Sequence, residues 1–497
     1  ATLLCNIING SEVPSKSQEI VDVLNPATQD VVCRVPCSTV DEMESCINFA
    51  IQAQRTWRDV PVQQRVRVLI KLTSLLQENK AEIVQAIVRE NGKTVVDAEG
   101  DVARGIEVVE HAIAMPTLMM GETVEQISKD MDTSSYRQPL GVVVGIAPFN
   151  FPAMIVLWML PIAVGSGNAF ILKPSEKVPT AAMIIARLAS QAGLPPGIFS
   201  LLHGGKAVVE FLCSHPAVRA VSFVGSGAVG RQVYLAATSR GKRCQCNVGA
   251  KNHAVVLPDA NKEQALNGIV GAAFGAAGQR CMAISVAVFV GDTAEWIPSL
   301  VDKARRLKVG CGAEAGVDIG PMISKQALQR ALGILEASLA QGAVLALDGR
   351  GVAVAGFERG NFLGPTVVTG VAAGMPCYAE EVFAPVLCCL AAPSLEAAIE
   401  LINANPMGNG VMVFTASGGA ARKFQHEIQV GQVGINVPVP VPLPFFSWSS
   451  SKESLLGDLH FFGKSAVHFY TQLKTVVSRW EYTASQAEQP AVNFSGR

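Results

Sequence analysis

Forty lysines and arginines nearly balance 41 aspartates and glutamates over 497 residues, and the net charge of −1 argues against a polyanion such as nucleic acid as the main partner. A chain this long outgrows a single hydrophobic core and reads as two or more domains. Charged residues make up only 16% of it and apolar residues 49%, a balance that points to surface hidden by oligomerisation.

The chain starts at Ala1, and no basic, apolar or cleavage-site segment precedes the folded-looking part, as expected of a removed presequence or a shortened chain. Glu42 to Gly105 reads mostly as helices, with apolar pairs such as Leu75/Leu76, Ile83/Val84 and Ile87/Val88. Arg104 lies on one of them, opposite Val102, Ile106, Val109 and Ile113, where its spacing suits a surface pair with Glu107 or Asp101. Gln138 to Leu172 carries no charge and is long enough to span a bilayer. Pro148, Asn150, Pro152, Pro161, Gly165, Gly167 and Asn168 interrupt it, however, so no membrane span is expected. The better reading is a buried strand Gly141–Ile146, a turn Pro148–Pro152, a helix, and a second buried strand from Ala169 that ends at Lys173, which is a parallel βαβ crossover.

The alternation continues with a helix over Thr180–Ala192, a strand at Ser200–His203, a helix over Ala207–Cys213 and a strand at Ala220–Val224. These elements predict a doubly wound α/β fold. A second α/β segment runs from Lys262 to about Gln432, with helices near Gln264–Ala277 and Gln326–Gln341. Near the C-terminus, Ala466 to Val477 alternates like a strand, with Val467, Phe469, Thr471, Leu473 and Thr475 on one face. The 12 cysteines contain no Cys-x-x-Cys pair and the seven histidines no ligand spacing, so neither a metal site nor a disulfide framework is expected.

Two stretches carry chemistry. Gly225-Ser-Gly-Ala-Val-Gly230 follows a strand and matches G-x-G-x-x-G, which would set backbone N–H groups against a phosphate; the same residues also suit an ordinary strand-to-helix turn. The usual ribose-binding acid about 20 residues on is missing, since that position falls in Cys244–Asn247. Lys173 and Glu176, past the end of the other buried strand, offer an alternative ribose contact. In Gly275-Ala-Ala-Gly-Gln-Arg-Cys281 a cysteine sits beside Arg280, which would favour its thiolate; a buried structural cysteine fits that motif as well.

Five motifs decide between these readings: Pro148-Phe-Asn-Phe-Pro152, Lys173-Pro-Ser-Glu176, Phe223-Val-Gly-Ser226, Gly278-Gln-Arg-Cys281 and Glu380-Glu-Val-Phe-Ala-Pro385. In this order they resemble the aldehyde dehydrogenase superfamily. Further runs resemble its CoA-acylating branch, the methylmalonate-semialdehyde dehydrogenases. These include Asp97–Val102, Gly145–Met154, Gly249–His253, Gly271–Met282 and Phe469–Thr475, and the likeness covers essentially the whole chain.

The resemblance implies a doubly wound NAD-binding domain (1–118 and 138–249), an α/β catalytic domain (250–448) and a β oligomerisation arm (119–137 and 463–486). It implies Cys281 as the nucleophile, Asn150 with the Cys281 N–H as the oxyanion site, and Ala147, Phe149, Lys173, Glu176, Lys177, Ser226 and Glu381 around NAD. Lys177 stands where close relatives are expected to have arginine. Arg104 and Arg280 would clamp a substrate carboxylate. Hydrolytic members have a glutamate where this chain has Asn247, and an amide cannot activate water, so Asn247 is expected to favour CoA as the acyl acceptor. The implied partners are methylmalonate or malonate semialdehyde, CoA and, through the arm and the terminal strand, further subunits of a homodimer or homotetramer. No metal is implied. The compartment is the mitochondrial matrix for a eukaryotic source and the cytoplasm for a bacterial one. A hydrolytic aldehyde dehydrogenase and a non-enzymatic protein on the same scaffold are the alternatives.

Overall fold

The computed structural model describes residues 1–482. Five parallel strands form the centre of the first sheet: β1 (Val142–Ile146), β2 (Ala169–Lys173), β3 (Phe199–Leu201), β4 (Val218–Val224) and β5 (Arg243–Asn247). They stand in the order β3-β2-β1-β4-β5. Antiparallel strands from distant parts of the chain, Asn6–Ile8 beside β3 and Leu455–Leu456 beside β5, extend this core. β1 and β2 are buried throughout, as expected when helices cover both faces of a parallel sheet. The order reverses between β1 and β4, and such a reversal opens a crevice beyond the carboxyl ends of the two strands.

The segment tested as a membrane span is the β1–β2 crossover. Its helix, Met154–Gly165, has 12 residues, all buried, with Pro161 inside it. No helix among the described residues is long and apolar enough to cross a membrane. The helix lies beneath the longer Val95–Ala112, which begins at Thr94, whose hydroxyl accepts from the Asp97 N–H at 3.2 Å. Gly105 makes the contact close: a Cβ there would lie 2.8 Å from Leu157 Cδ1 and 3.1 Å from Met154 Cα. Val102, Ile106 and Val109 are buried on this helix, whereas Arg104 is exposed.

A second sheet has seven strands in the order Val344–Leu347, Thr366–Thr369, Val386–Ala392, Ile284–Val290, Asn252–Val256, Gly410–Phe414 and Gln432–Ile435. Only the first pair is antiparallel. Buried apolar residues of both large sheets form one continuous cluster. The helix expected over Gln264–Ala277 runs from Lys262 to Phe274 and then breaks, with Ala276 (φ 50°), Ala277 (φ 54°) and Gly278 (φ 68°) in left-handed conformations.

One expectation near the C-terminus needs correction. Ala466 to Val477 is not one strand: Gly463–Tyr470 is a helix and only Thr471–Arg479 is extended. Ala466, Val467, Phe469 and Tyr470 are all buried, a helical spacing that coincides locally with a two-residue alternation. The terminal strand also pairs within its own chain, antiparallel to Met131–Pro139 over nine residue pairs from Thr471↔Pro139 to Arg479↔Met131. Thr123–Ser128 completes this three-stranded sheet. The part of the expected arm beyond residue 482, and most of the tail, lie outside the described residues.

Because Gly105 sets the distance between the two helices, Gly105→Ala should cost about 1–3 kcal/mol by overpacking. It should lower the thermal midpoint and slow NADH formation together. An unchanged midpoint in thermal unfolding would contradict this account of the contact.

Candidate active site

The close helix contact brings Asp101 to the turn after β1. Its Oδ1 accepts from the Met154 N–H at 2.7 Å and caps a helix that has no cap of its own. Its Oδ2 lies 3.3 Å from Lys93 Nζ, and both side chains have almost no exposure. Lys93 also donates to the Asn150 carbonyl at 2.5 Å and lies 4.2 Å from the centre of the Phe151 ring. Burial pushes Lys93 down and Asp101 up, and each charge pulls the other back. The Asn150–Met154 turn is thus held at both ends by one buried ion pair. Asn91 fixes the preceding carbonyl by donating to Phe149 O at 2.9 Å.

The loop carrying Cys281 is held on several sides. Asp97 accepts from the Ala276 N–H at 3.1 Å and pairs with Arg280, whose guanidinium lies across Gly275 where a Cβ would clash. At Gly278 a Cβ would lie 2.1 Å from Ala384 O, so the loop meets the Glu380–Pro385 segment backbone to backbone. Gln279 accepts from the Ile323 N–H at 3.0 Å. The Cys281 carbonyl accepts from two side-chain amides, Asn252 at 2.8 Å and Asn409 at 3.0 Å. Burial pushes the Cys281 thiol up to about 12, opposed by the N–H groups of Cys281 and Met282 and by the charge of Lys93. The charge of Glu381 pushes the thiol further up, and that of Lys93 draws it down. Arg280 is committed to Asp97.

Around the crevice, the Ala147 N–H donates to Lys173 O at 3.1 Å, joining the ends of β1 and β2. Lys173 Nζ is bonded to Glu176 at 3.2 Å and to Gly204 O at 3.1 Å. Burial opposes ionisation of Glu176, but Lys173, the Glu176 N–H and Lys177 together hold the carboxyl below its usual range. Phe149 meets Phe383 edge-on at 6.0 Å, and Lys177 Nζ lies 6.0 Å from the Phe149 ring and 3.5 Å from Ser324 Oγ. Ser226 stands before the helix Gly227–Thr238, beyond the end of β4, and its hydroxyl makes no cap bond. Glu381 accepts from the Ala250 N–H at 2.9 Å, and its other carboxylate oxygen borders the bare side of Gly249, where a Cβ would lie 3.2 Å away. Burial raises the Glu381 carboxyl.

Asn247 ends β5 and is buried. Its amide oxygen accepts from Trp448 Nε1 at 2.9 Å, while its nitrogen donates to Ser450 Oγ at 2.8 Å and Ser454 O at 3.2 Å. The amide is thereby saturated. Arg104 bonds to Glu107 at 2.9 Å, while Asp101, the other partner considered for it, belongs to Lys93. Arg104 and Asp97 nevertheless share a helix face, since seven residues bring the helix to within roughly 20° of the same direction, about 10.5 Å along its axis.

Residues 13–476 match the model of the aldehyde dehydrogenase family. The chain belongs to that family. It is 52% identical to the methylmalonate-semialdehyde dehydrogenase [acylating], mitochondrial, of Arabidopsis thaliana, over 96% of this chain and 78% of the relative. It is 50% identical to the methylmalonate-semialdehyde/malonate-semialdehyde dehydrogenase [acylating], mitochondrial, of Mus musculus, over 98% and 91%. Among solved structures, the methylmalonate-semialdehyde dehydrogenase of Oceanimonas doudoroffii superposes with a TM-score of 0.95 at 43% identity, covering 97% of this chain and 99% of that one. A Sinorhizobium meliloti structure complexed with NAD gives 0.95 at 42% identity, with the same coverage.

Lys93, Asp97, Asn252, Asn409 and Ser450 were not singled out by sequence reasoning, and Asp101 was read only as a surface partner for Arg104. One signal was available: Asp101 shares a helical stripe with buried Ala98 and Val102, and an acid on an apolar face needs a buried partner. Lys93→Met should leave Asp101 unpaired and cost about 3–5 kcal/mol, lowering the thermal midpoint and abolishing NADH formation. Lys93→Met with Asp101→Leu should recover part of the stability and none of the activity. Recovery of turnover in the double variant would separate the ion pair from the placement of Asn150.

Proposed function

We propose that this aldehyde dehydrogenase oxidises and decarboxylates methylmalonate semialdehyde, and malonate semialdehyde by the same chemistry, to propionyl-CoA and acetyl-CoA. The observation that carries the reading is the saturated Asn247 amide at the position from which hydrolytic relatives activate water: it has no basic atom to offer. The relatives named above as acylating enzymes support the same substrate class.

NAD⁺, when bound, supplies the hydride acceptor. The residues around the switch-point crevice fit it: Lys173 and Glu176 for a ribose, the N-terminus of Gly227–Thr238 with Ser226 for phosphate, Phe149 beside Phe383, and Glu381 facing the bare surface of Gly249. Ala147 and Lys177 complete the set. In this reading the Cys281 thiolate attacks the aldehyde carbon, and the oxyanion is received by the Asn150 amide and the Cys281 N–H. Departure of hydride from that carbon leaves a thioester on Cys281. Arg104 and Arg280 hold the substrate carboxylate from one helix face. Loss of CO₂ from the β-carboxy thioester places charge on the thioester oxygen, where the same two donors stand. Proton uptake at the α-carbon and attack by the CoA thiolate then release the product.

The NAD-binding division at 1–118 and 138–249, the catalytic division at 250–448 and the arm are supported by the separation of the eight-, seven- and three-stranded sheets described above, among the five of the described residues. The arm sheet exposes Val124, Ile127, Tyr136, Leu473, Val477 and Trp480. Two uncovered edges and this much apolar surface favour a homodimer or homotetramer. The mitochondrial matrix is the proposed compartment for a eukaryotic source, and the cytoplasm for a bacterial one.

The deciding experiment follows NADH and identified products with and without CoA. Without CoA, one equivalent of NADH per active subunit should appear in a burst, then slow hydrolysis; CoA should restore steady turnover and give propionyl-CoA. Steady release of propionate at the full rate without CoA would overturn the acylating assignment. Cys281→Ala should form no NADH and still bind NAD⁺.

The carboxylate clamp has its own test. Arg104→Leu and Arg280→Leu should each reduce kcat/KM for the semialdehyde acid about 10²-fold more than for propanal. Equal losses on the two substrates would leave the arginines a structural role only.

In the cofactor-free enzyme, a thiol raised to about 12 is protonated at neutral pH. Its alkylation by iodoacetamide should therefore rise about tenfold per pH unit from 7 to 10. A flat profile over that range would mean that the thiolate is already formed.

A further inference from the structure

A directional hydrogen-bond chain links Asn247 to the nucleophile. Asn247 Nδ2 donates to Ser450 Oγ at 2.8 Å, leaving the single hydroxyl proton of Ser450 for Asn409 Oδ1 at 2.7 Å. Asn409 Nδ2 donates in turn to the Cys281 carbonyl at 3.0 Å. Asn247, Asn409 and Ser450 are all buried. The direction is forced at its start, because Ser454 O accepts from the Asn247 nitrogen and Trp448 Nε1 donates to its oxygen. Asn252 reaches the same carbonyl from the other side and is itself anchored by accepting the Gly410 N–H at 3.0 Å.

The Cys281 carbonyl shares its peptide plane with the Met282 N–H, one of the two backbone donors directed at the Cys281 sulfur. Two amide donors on the oxygen fix the plane and draw charge toward that oxygen, so the N–H on the opposite side becomes a better-aimed and stronger donor. We propose that Asn409, with Ser450 behind it, is a positioning residue for the nucleophile: the chain from Asn247 acts through the 281–282 peptide to aim the Met282 N–H at the Cys281 sulfur and favour its thiolate. The position that withholds a base for hydrolysis would thus also help to prepare the nucleophile. The proposal rests on Cys281 being the nucleophile, which Cys281→Ala tests separately.

The test is the pH dependence of Cys281 alkylation by iodoacetamide in the full-length enzyme, read by mass of the modified peptide. Ser450→Ala and Asn409→Leu should displace the line of log rate against pH to higher pH by about half to one unit, without changing its slope, which corresponds to a roughly three- to tenfold slower reaction at fixed pH. Ser450→Thr keeps the hydroxyl and should lie on the parent line. A role in packing alone would reduce turnover and leave the alkylation line where it is, which would overturn the proposal. Ser450→Ala removes one oxygen, and its result decides the matter if Asn409→Leu does not fold. A shift with Asn409→Leu alone would end the chain at Asn409 and refute the part assigned to Ser450 and Asn247. If Cys281→Ala retained NADH formation, the nucleophile assignment would fail, whatever the alkylation lines showed.

Discussion

Two opposite charges withdrawn from water persist only when each is bonded on the sides that solvent has left, and Lys93 and Asp101 meet that condition by gripping the chain that carries Asn150. Lys93 takes the Asn150 carbonyl and Asp101 takes the N–H of Met154, so the turn between β1 and its helix has little freedom to rotate. The grip depends on two features of sequence that carry no chemistry themselves. Gly105 lets the helices approach, and Thr94 starts Val95–Ala112 at the register that puts Asp97, Asp101 and Arg104 on one side. Asp97 then extends the same hold to the Cys281 loop. A single helix thereby ties Asn150 and Cys281, proposed as oxyanion donor and nucleophile, to one frame, and transition-state stabilisation depends on such placement.

Much of the fold was legible because its strongest signals are local. Buried strands β1 and β2 are short apolar runs bounded by Gly and Pro, and the helices between them have regular apolar spacing, so the α/β alternation follows from period alone. The C-terminal segment was misread for the same reason: Val467 and Phe469 alternate, but their burial belongs to a helix that Tyr470 ends. The candidate site divides in a similar way. Cys281, Asn150 and Glu381 lie in compact motifs, while the residues that hold them come from positions far away in the chain, such as Asn409, 128 residues from Cys281. No periodicity connects such partners, and only the meeting of the two sheets does.

The arginines show how neighbours in sequence can part in space. Adjacency placed Arg280 next to the thiol, yet chain neighbours need not face the same way, and its guanidinium turns back over Gly275 to Asp97. Lys93, remote in sequence and fixed by the buried pair, is a cation whose charge draws the Cys281 thiol down. This division gives the two cations separate holds, Arg280 on Asp97 and Lys93 on Asp101.

The exchange of a carboxylate for an amide at position 247 has a physical consequence beyond the loss of a base. An amide both donates and accepts, and here its nitrogen faces a carbonyl, Ser454 O, while its oxygen faces an indole N–H. A carboxylate in the same place would set a negative oxygen against that carbonyl and would take the Ser450 proton that now goes to Asn409. The pocket is therefore built around the amide rather than merely tolerating it. In the proposed attack, charge moves from the Cys281 sulfur to the substrate oxygen, and the Cys281 N–H that opposed the cost of burying the thiolate becomes free to meet the oxyanion. A neutral residue at 247 suits that sequence, because its amide leaves the Ser450 proton to Asn409, which in turn holds the Cys281 carbonyl.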